Sequence, residues 1–274
     1  MAKYIALSPG GTGFYSLVGA LCMMNDHDKL SNLKELSGSS AGAIASFMYI
    51  VCKGDTDLLK HEALETDTTD VTKFRESFTK LNLKNFFMNY GFIDTSGIRE
   101  LASSITLRLM SMDNPTFKEL YDFNPIKLHI ASYCIDTNKT CYFSVDTHPD
   151  QLVLDVLCAS MAVPMVFSPV SMHGKQYVDG ALEEKIPAFP FLHRNAEEVL
   201  CIHIGFVHCN IEVNSVKNYI QKFMVPLMAN RITYTLPTIK VQMDTQDAFD
   251  FAMHDKKKLE LFVVGYQTMV EELF

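Results

Sequence analysis

Ser40 is the residue whose surroundings best suit covalent chemistry. It lies in Gly38-Ser39-Ser40-Ala41-Gly42, a G-x-S-x-G sequence between a strand candidate ending at Leu36-Ser37 and the apolar helical run Ala43–Val51. A nucleophile on such a turn projects its hydroxyl into a cleft, and the small flanking residues Gly38 and Gly42 let the chain bend sharply and the next helix pack closely. The helix N-terminus places partial positive charge beside a developing alkoxide. Average Gly and Ser usage produces this pattern by chance in roughly one chain in ten of this length, so alone it is a weak signal. Ser40 as an ordinary helix N-cap explains it about as well.

Two further stretches supply what a serine nucleophile needs. Pro9-Gly10-Gly11-Thr12-Gly13 follows the first strand candidate, Tyr4–Leu7. Glycine-rich backbone can aim fixed N–H groups at an oxyanion without reorganising. The stretch lacks the Gly-Lys-Ser/Thr ending of a nucleotide P-loop and the glycine spacing of a dinucleotide fingerprint, while a plain tight turn stays open. Asp179-Gly180 ends the apolar strand Gln176-Tyr177-Val178. A carboxylate fixed there in a desolvated site could take the serine proton, although Asp-Gly is also a common turn pair. His193, His203, His208 and His254 lie downstream of Asp179 and allow the Ser–Asp–His order of a triad hydrolase. None has a local context that singles it out, and no histidine has a partner at metal-ligand spacing.

The elements that must position these residues read as alternating strands and helices. Tyr4–Leu7, the glycine turn and a helix carrying Leu17, Leu21 and Met24 make one unit; Leu36-Ser37, the Ser40 turn and Ala43–Val51 make a second. That rhythm is typical of a mostly parallel α/β sheet. Asp55–Met112 changes character, with apolar pairs Leu58/Leu59, Phe86/Phe87 and Leu101/Ile105 among charges. It reads as amphipathic helices packed over the sheet, a candidate lid or acyl-chain pocket or else ordinary crossover helices. Lys127–Ile135 and Thr140–Val145 flank turn formers and suggest a hairpin; Leu152–Met161 reads as a helix, Val170–Val178 as strand, turn and strand, and Val199–Phe206 as a strand. Without a repeat or linker, residues 1–274 are expected to form a single domain with a core of about 4–204 and a C-terminal helical extension of about 212–274.

Composition limits the partners. The 274 residues are 48% hydrophobic and 20% charged, which suits a globular chain with a sizeable core. The formal charge of −8, with no basic block beyond Lys256–Lys258, argues against nucleic acid, which needs clustered Lys and Arg. The seven cysteines, Cys22, Cys52, Cys134, Cys141, Cys158, Cys201 and Cys209, are odd in number and scattered, as expected of reduced buried thiols. The apolar run Ala43–Cys52 is about half of what a membrane span requires. No transmembrane segment and no signal peptide are expected, and the expected location is cytoplasmic or peripheral at membranes.

Taken together, the stretches resemble the patatin-like phospholipase family. Gly10-Gly11-Thr12-Gly13, Ser37-Gly38-Ser39-Ser40-Ala41-Gly42-Ala43 and Tyr177-Val178-Asp179-Gly180-Ala181 occur in that family's order and approximate spacing. Ala159 to Val170 resembles the segment before its aspartate, and Thr116-Phe117-Lys118-Glu119-Leu120 is similar to one of its middle helices. The likeness runs from about Tyr4 to about Ile204. It implies a three-layer α/β/α sandwich with a mostly parallel sheet, a Ser40–Asp179 dyad without histidine, and an oxyanion hole from Gly10, Gly11, Thr12 or close neighbours, with no metal and no cofactor. The implied substrate is a lipid acyl ester at a membrane or micelle surface; a patatin-fold protein that binds lipid or a partner with little turnover is the alternative. One departure stands out: the family's loop has a third leading glycine and an Arg or Lys before its last glycine, whereas here Pro9 stands near the first position and no basic residue follows Thr12.

Overall fold

The structure is a computed structural model that describes residues 2–65, 83–207, 231–245 and 253–274, together with residues 222, 247, 248 and 250. In chain order the elements are β1 (Tyr4–Leu7), α1 (Phe14–Asp26), β2 (Glu35–Gly38), α2 (Ala41–Val51), α3 (Thr56–Glu65), α4 (Leu83–Asn89), β3 (Gly91–Ile93), α5 (Ser96–Met110), α6 (Phe117–Phe123), β4 (Lys127–Cys134), β5 (Lys139–Phe143), α7 (Val153–Ser160), β6 (Met165–Phe167), β7 (Val170–Met172), β8 (Lys175–Asp179), β9 (Val199–Val207), β10 (Thr238–Asp244) and α8 (Asp255–Leu273). The main sheet runs β10-β9-β1-β2-β4-β8-β7, with β5 paired to β4. The five strands from β10 to β4 are mutually parallel, and β8, β7 and β5 add antiparallel pairings. The α/β class with a mostly parallel central sheet flanked by helices is therefore as expected.

Side-chain alternation along β1 divides the core. Ile5 and Leu7 face the large cluster formed with α1, α2 and α7, whereas Tyr4 and Ala6 face a smaller one with Ala188, Phe191 and Cys201. α2 is buried along its whole length, which explains its continuous apolar run. α8 packs on α1 at backbone contact: a Cβ at Gly265 would lie 1.9 Å from the Ser16 carbonyl oxygen, and one at Gly19 would lie 2.1 Å from that of Phe262. The Thr116 helix start is a capping box, its hydroxyl accepting from Glu119 N while Glu119 accepts from Thr116 N.

Several elements differ from the sequence reading. The two expected hairpins form, β4–β5 and β7–β8, the second turning through positive φ at His173 and Gly174. The 55–112 stretch contributes α3, α4 and α5, but also β3, which pairs in parallel with β6 as a separate two-stranded sheet. Three-residue strands carry too little periodicity to be read from sequence. Residues 238–244, within the expected helical extension, form β10 beside β9; Ile239, Val241 and Met243 point inward in strict alternation. Part of the 55–112 stretch, part of that extension, His208 and Cys209 lie outside the described residues.

Candidate active site

The site is assembled where the parallel strands end. β1 and β2 pair in register up to Leu7 opposite Gly38, so the 8–13 loop and the 38–42 turn emerge side by side. Ser40 has φ 51° and ψ −121°, a strained conformation for a residue with a side chain. Glycines on either side permit it by close approach: a Cβ at Gly42 would lie 2.2 Å from Leu7 O, and one at Gly38 would lie 2.3 Å from Gly42 O. Ser160, fully buried at the end of α7, completes the clamp. Its hydroxyl accepts from Ser40 N at 2.9 Å and donates to Ala131 O at 2.6 Å. Ser160 lay within the segment quoted for the family resemblance, but no local pattern marked it as the support of Ser40.

The 8–13 loop has a definite shape. Gly11 takes positive φ, and Gly13 N donates to Gly10 O at 2.9 Å. Thr12 is tied to the far end of the chain: its N–H donates to Ala248 O at 3.1 Å and its hydroxyl to Asp247 O. Of the three residues read as oxyanion donors, Thr12 thus already spends its amide on Ala248.

Asp179 is brought to Ser40 by β8, which runs antiparallel to β4 with Asp179 opposite Ser132. Its own N–H donates to Ala162 O at 2.9 Å, and its Oδ1 accepts from Ala181 N at 2.8 Å. Gly180 is required there because a Cβ would meet Ala131 O at 2.3 Å. The carboxyl is 3% exposed, and burial pushes its pKa up to about 6; the Ala181 N–H, contact with the Ser40 hydroxyl and the charge of Arg231 pull the other way. Ser40 is 8% exposed. Arg231 donates from Nη1 to Ala181 O at 3.1 Å, and burial lowers its own pKa against the attraction of Asp179. No motif announced Arg231; a parallel bridge between Glu184 and Ile232 carries it to the site.

The histidines divide from this arrangement. The groups bearing on Asp179 are Ala181, Ser40 and Arg231, and no described histidine is among them. His203 lies on β9, where burial and then the charges of Lys185, Arg231 and Lys240 push its pKa down to about 4. His254 caps α8. Among the described residues no group of three His, Cys, Asp or Glu side chains could hold a metal ion. The six described cysteines are free, all but Cys141 buried, and desolvation pushes the Cys22 and Cys52 thiols up to about 12. No helix among the described residues is long and apolar enough to cross a membrane.

The family model for Patatin-like phospholipase matches residues 5–192, from β1 through the Asp179 loop. The chain belongs to the patatin-like phospholipase family. This patatin-like chain is 25% identical over 190 residues to "Probable lipid hydrolase 463L" of Invertebrate iridescent virus 6, covering 68% of the chain and 61% of that protein. Its fold is similar to that of VipD from Legionella pneumophila, with TM-score 0.60 and 14% identity over 98% of this chain and 66% of that one. It is also similar to the ExoU–SpcU complex of the type III secretion system of Pseudomonas aeruginosa, with TM-score 0.54 and 18% identity over 99% of this chain and 51% of the matched one. The chain thus spans between half and two thirds of the length of these relatives.

Proposed function

We propose that this patatin-like chain is a lipid acyl hydrolase of the phospholipase A type, working through a Ser40–Asp179 dyad and an acyl-enzyme. The observation that carries the reading is the buried Asp179 carboxyl held against Ser40 on its strained turn, with the 8–13 loop alongside. With a pKa of about 6, Asp179 is mostly ionised at neutral pH yet close enough to neutrality to accept a proton. Ser40 Oγ attacks the ester carbonyl as its proton passes to Asp179. The N–H groups of Gly10 and Gly11 hold the oxyanion. Collapse expels the alcohol, which takes the proton from Asp179. Water then gives a proton to Asp179 and attacks the acyl-enzyme, and the proton returns to Ser40 as the fatty acid leaves.

The substrate is reached at a membrane or micelle surface. Phe87, Met88 and Tyr90 are 74%, 69% and 73% exposed, and half-exposed Met165 pairs with Gly91 on the small sheet beside them. Large apolar side chains grouped in this way suit a lipid interface. Met165 lies three residues after Ala162, whose carbonyl accepts from Asp179 N.

The test is labelling with a fluorophosphonate followed by peptide mapping. Wild type is expected to be labelled at Ser40, Ser40→Ala not at all, and Asp179→Asn at least a hundredfold more slowly. Unlabelled wild type, under conditions that label a control serine hydrolase, would favour a lipid- or partner-binding protein without turnover.

A further inference from the structure

The inner face of α8 is accounted for by the fold, and its outer face is not. Leu261, Phe262, Gly265 and Met269 are buried, with Gly265 against the backbone of α1. On the outer side Leu259, Val263 and Val270 are exposed, at spacings of four and seven that align them in one stripe along the helix, and exposed Val264 flanks them. Valine is a poorer helix former than the long polar residues that usually fill solvent positions, because its branched Cβ loses rotamer freedom there. An apolar stripe of this kind is the face that a helix turns toward a second surface.

The charges at the two ends of α8 bear on what that surface is. Lys256 and Lys257 stand in the first turn, whereas the last turn carries Glu271 and Glu272 and no basic residue. The helix dipole favours the opposite order, acids first and cations last, and only Asp255 conforms to it. The ion pairs that α8 makes among the described residues, through Lys256, Lys257 and Lys258, all lie in its first two turns, and Glu271 and Glu272 are exposed. A second α8 lying antiparallel brings the lysine end of each helix to the glutamate end of the other and opposes the two dipoles. With Leu259 facing Val270 of the partner subunit, the two-fold axis passes close to Val263, and Lys256 falls within about one turn of Glu271 of the partner subunit. Such a contact is self-complementary, so one stripe serves both copies. A membrane suits this face less well. Helices that lie on anionic lipid carry lysine and arginine along their polar side, whereas here Glu260 and Glu271 flank the stripe in a chain of net charge −8.

We propose that the outer face of α8 is a dimer interface, on which a second copy of this chain packs its own α8 in the antiparallel sense. The interface does not depend on the chemistry at Ser40. One helix against another is a small contact, so association is expected at micromolar concentration. The test is sedimentation equilibrium of the full chain over roughly 1–200 µM, as wild type, Val263→Glu, Lys256→Glu and Lys256→Glu with Glu271→Lys. Wild type should pass from monomer to dimer across this range. Val263→Glu, which sets two like charges near the axis, should stay monomeric. Lys256→Glu should weaken the dimer about tenfold, since the two-fold counts each change twice, and the added Glu271→Lys should restore it. All four side chains changed or paired here are exposed, so thermal melts at a concentration where wild type is monomeric should coincide; if Val263→Glu melts early, the loss with Lys256→Glu and its rescue still decide. A wild type that stays monomeric throughout would overturn the interface, as would a dimer that Val263→Glu and Lys256→Glu leave unchanged. Flotation of monomeric wild type with anionic vesicles, lost in Val263→Glu, would overturn it in favour of a membrane-facing helix.

Discussion

The 38–42 turn and the α4–β3 segment are built on opposite terms. Around Ser40 and Asp179 there is no room: Gly38, Gly42 and Gly180 each face a carbonyl at a distance that excludes a methyl group, and Ser160 holds Ser40 N. Across α4 and β3 large side chains stand in solvent; Phe86 stacks on Phe92 at 4.7 Å, but Phe87, Met88 and Tyr90 have little cover. Groups that must meet a reacting atom in one geometry are fixed by backbone contact. Groups that meet a fluid lipid surface need area rather than fixed position. The contrast predicts that change in the first region alters folding and chemistry together, while change in the second alters only the response to how substrate is presented.

The largest effect should come from Asp179→Asn. Loss of the base is expected to lower kcat/KM by at least about a thousandfold while the protein becomes more stable at neutral pH. The folded pKa of about 6 lies above the ordinary aspartate value of 3.8, so the folded state holds this proton more tightly than the unfolded chain. The stabilisation that this gives is complete below about pH 4 and is lost as pH rises through 6. At pH 7.5 the asparagine variant should therefore be more stable by about 1–3 kcal/mol, and near pH 4 the two should melt alike. For wild type, kcat/KM should climb with a midpoint near pH 6 and level off above 7. A midpoint near 4, or a destabilised variant at pH 7.5, would mean that the carboxyl is not desolvated in solution.

Next in size, Gly42→Val should destabilise by about 3 kcal/mol or more, because its side chain meets Leu7 O. Phe87→Ser should change stability by less than about 0.5 kcal/mol. On vesicles the order reverses: among folded proteins, Phe87→Ser should lower hydrolysis of bilayer lipid about tenfold relative to a soluble short-chain ester. Equal losses on both substrates would break the distinction between the two regions. Ser160→Ala should fall between these two in its effect on stability. It leaves Ser40 N and Ala131 O without their buried partner, for a loss of about 1–2 kcal/mol and roughly tenfold in kcat with KM little changed. Thermal melts and steady-state kinetics check both.

What could be read from the residue order was whatever is local. Tyr4–Leu7, the Ser40 turn, both hairpins and the strand to Asp179 follow from period and turn chemistry within a few residues. Arg231 and Ser160 could not be read this way. Each reaches the site through a partner distant in sequence: Arg231 by a bridge beside it between Glu184 and Ile232, Ser160 by a bond to Ala131. Thr12 shows the same limit in reverse. Its glycine-rich setting suggested a free backbone donor, but Ala248 had already engaged it.

That bond between Thr12 and Ala248 makes the last quarter of the chain a keystone for the first loop. The family match ends at residue 192, yet the carbonyls that shape the loop come from 247 and 248, just before α8, whose Gly265 is locked against Ser16. A chain trimmed to the family boundary would keep Ser40 and Asp179 and lose the buttress of the arch between them. Evolutionary boundary and mechanical boundary do not coincide here, and loosening α8 would reach the 8–13 loop without touching Ser40 or Asp179.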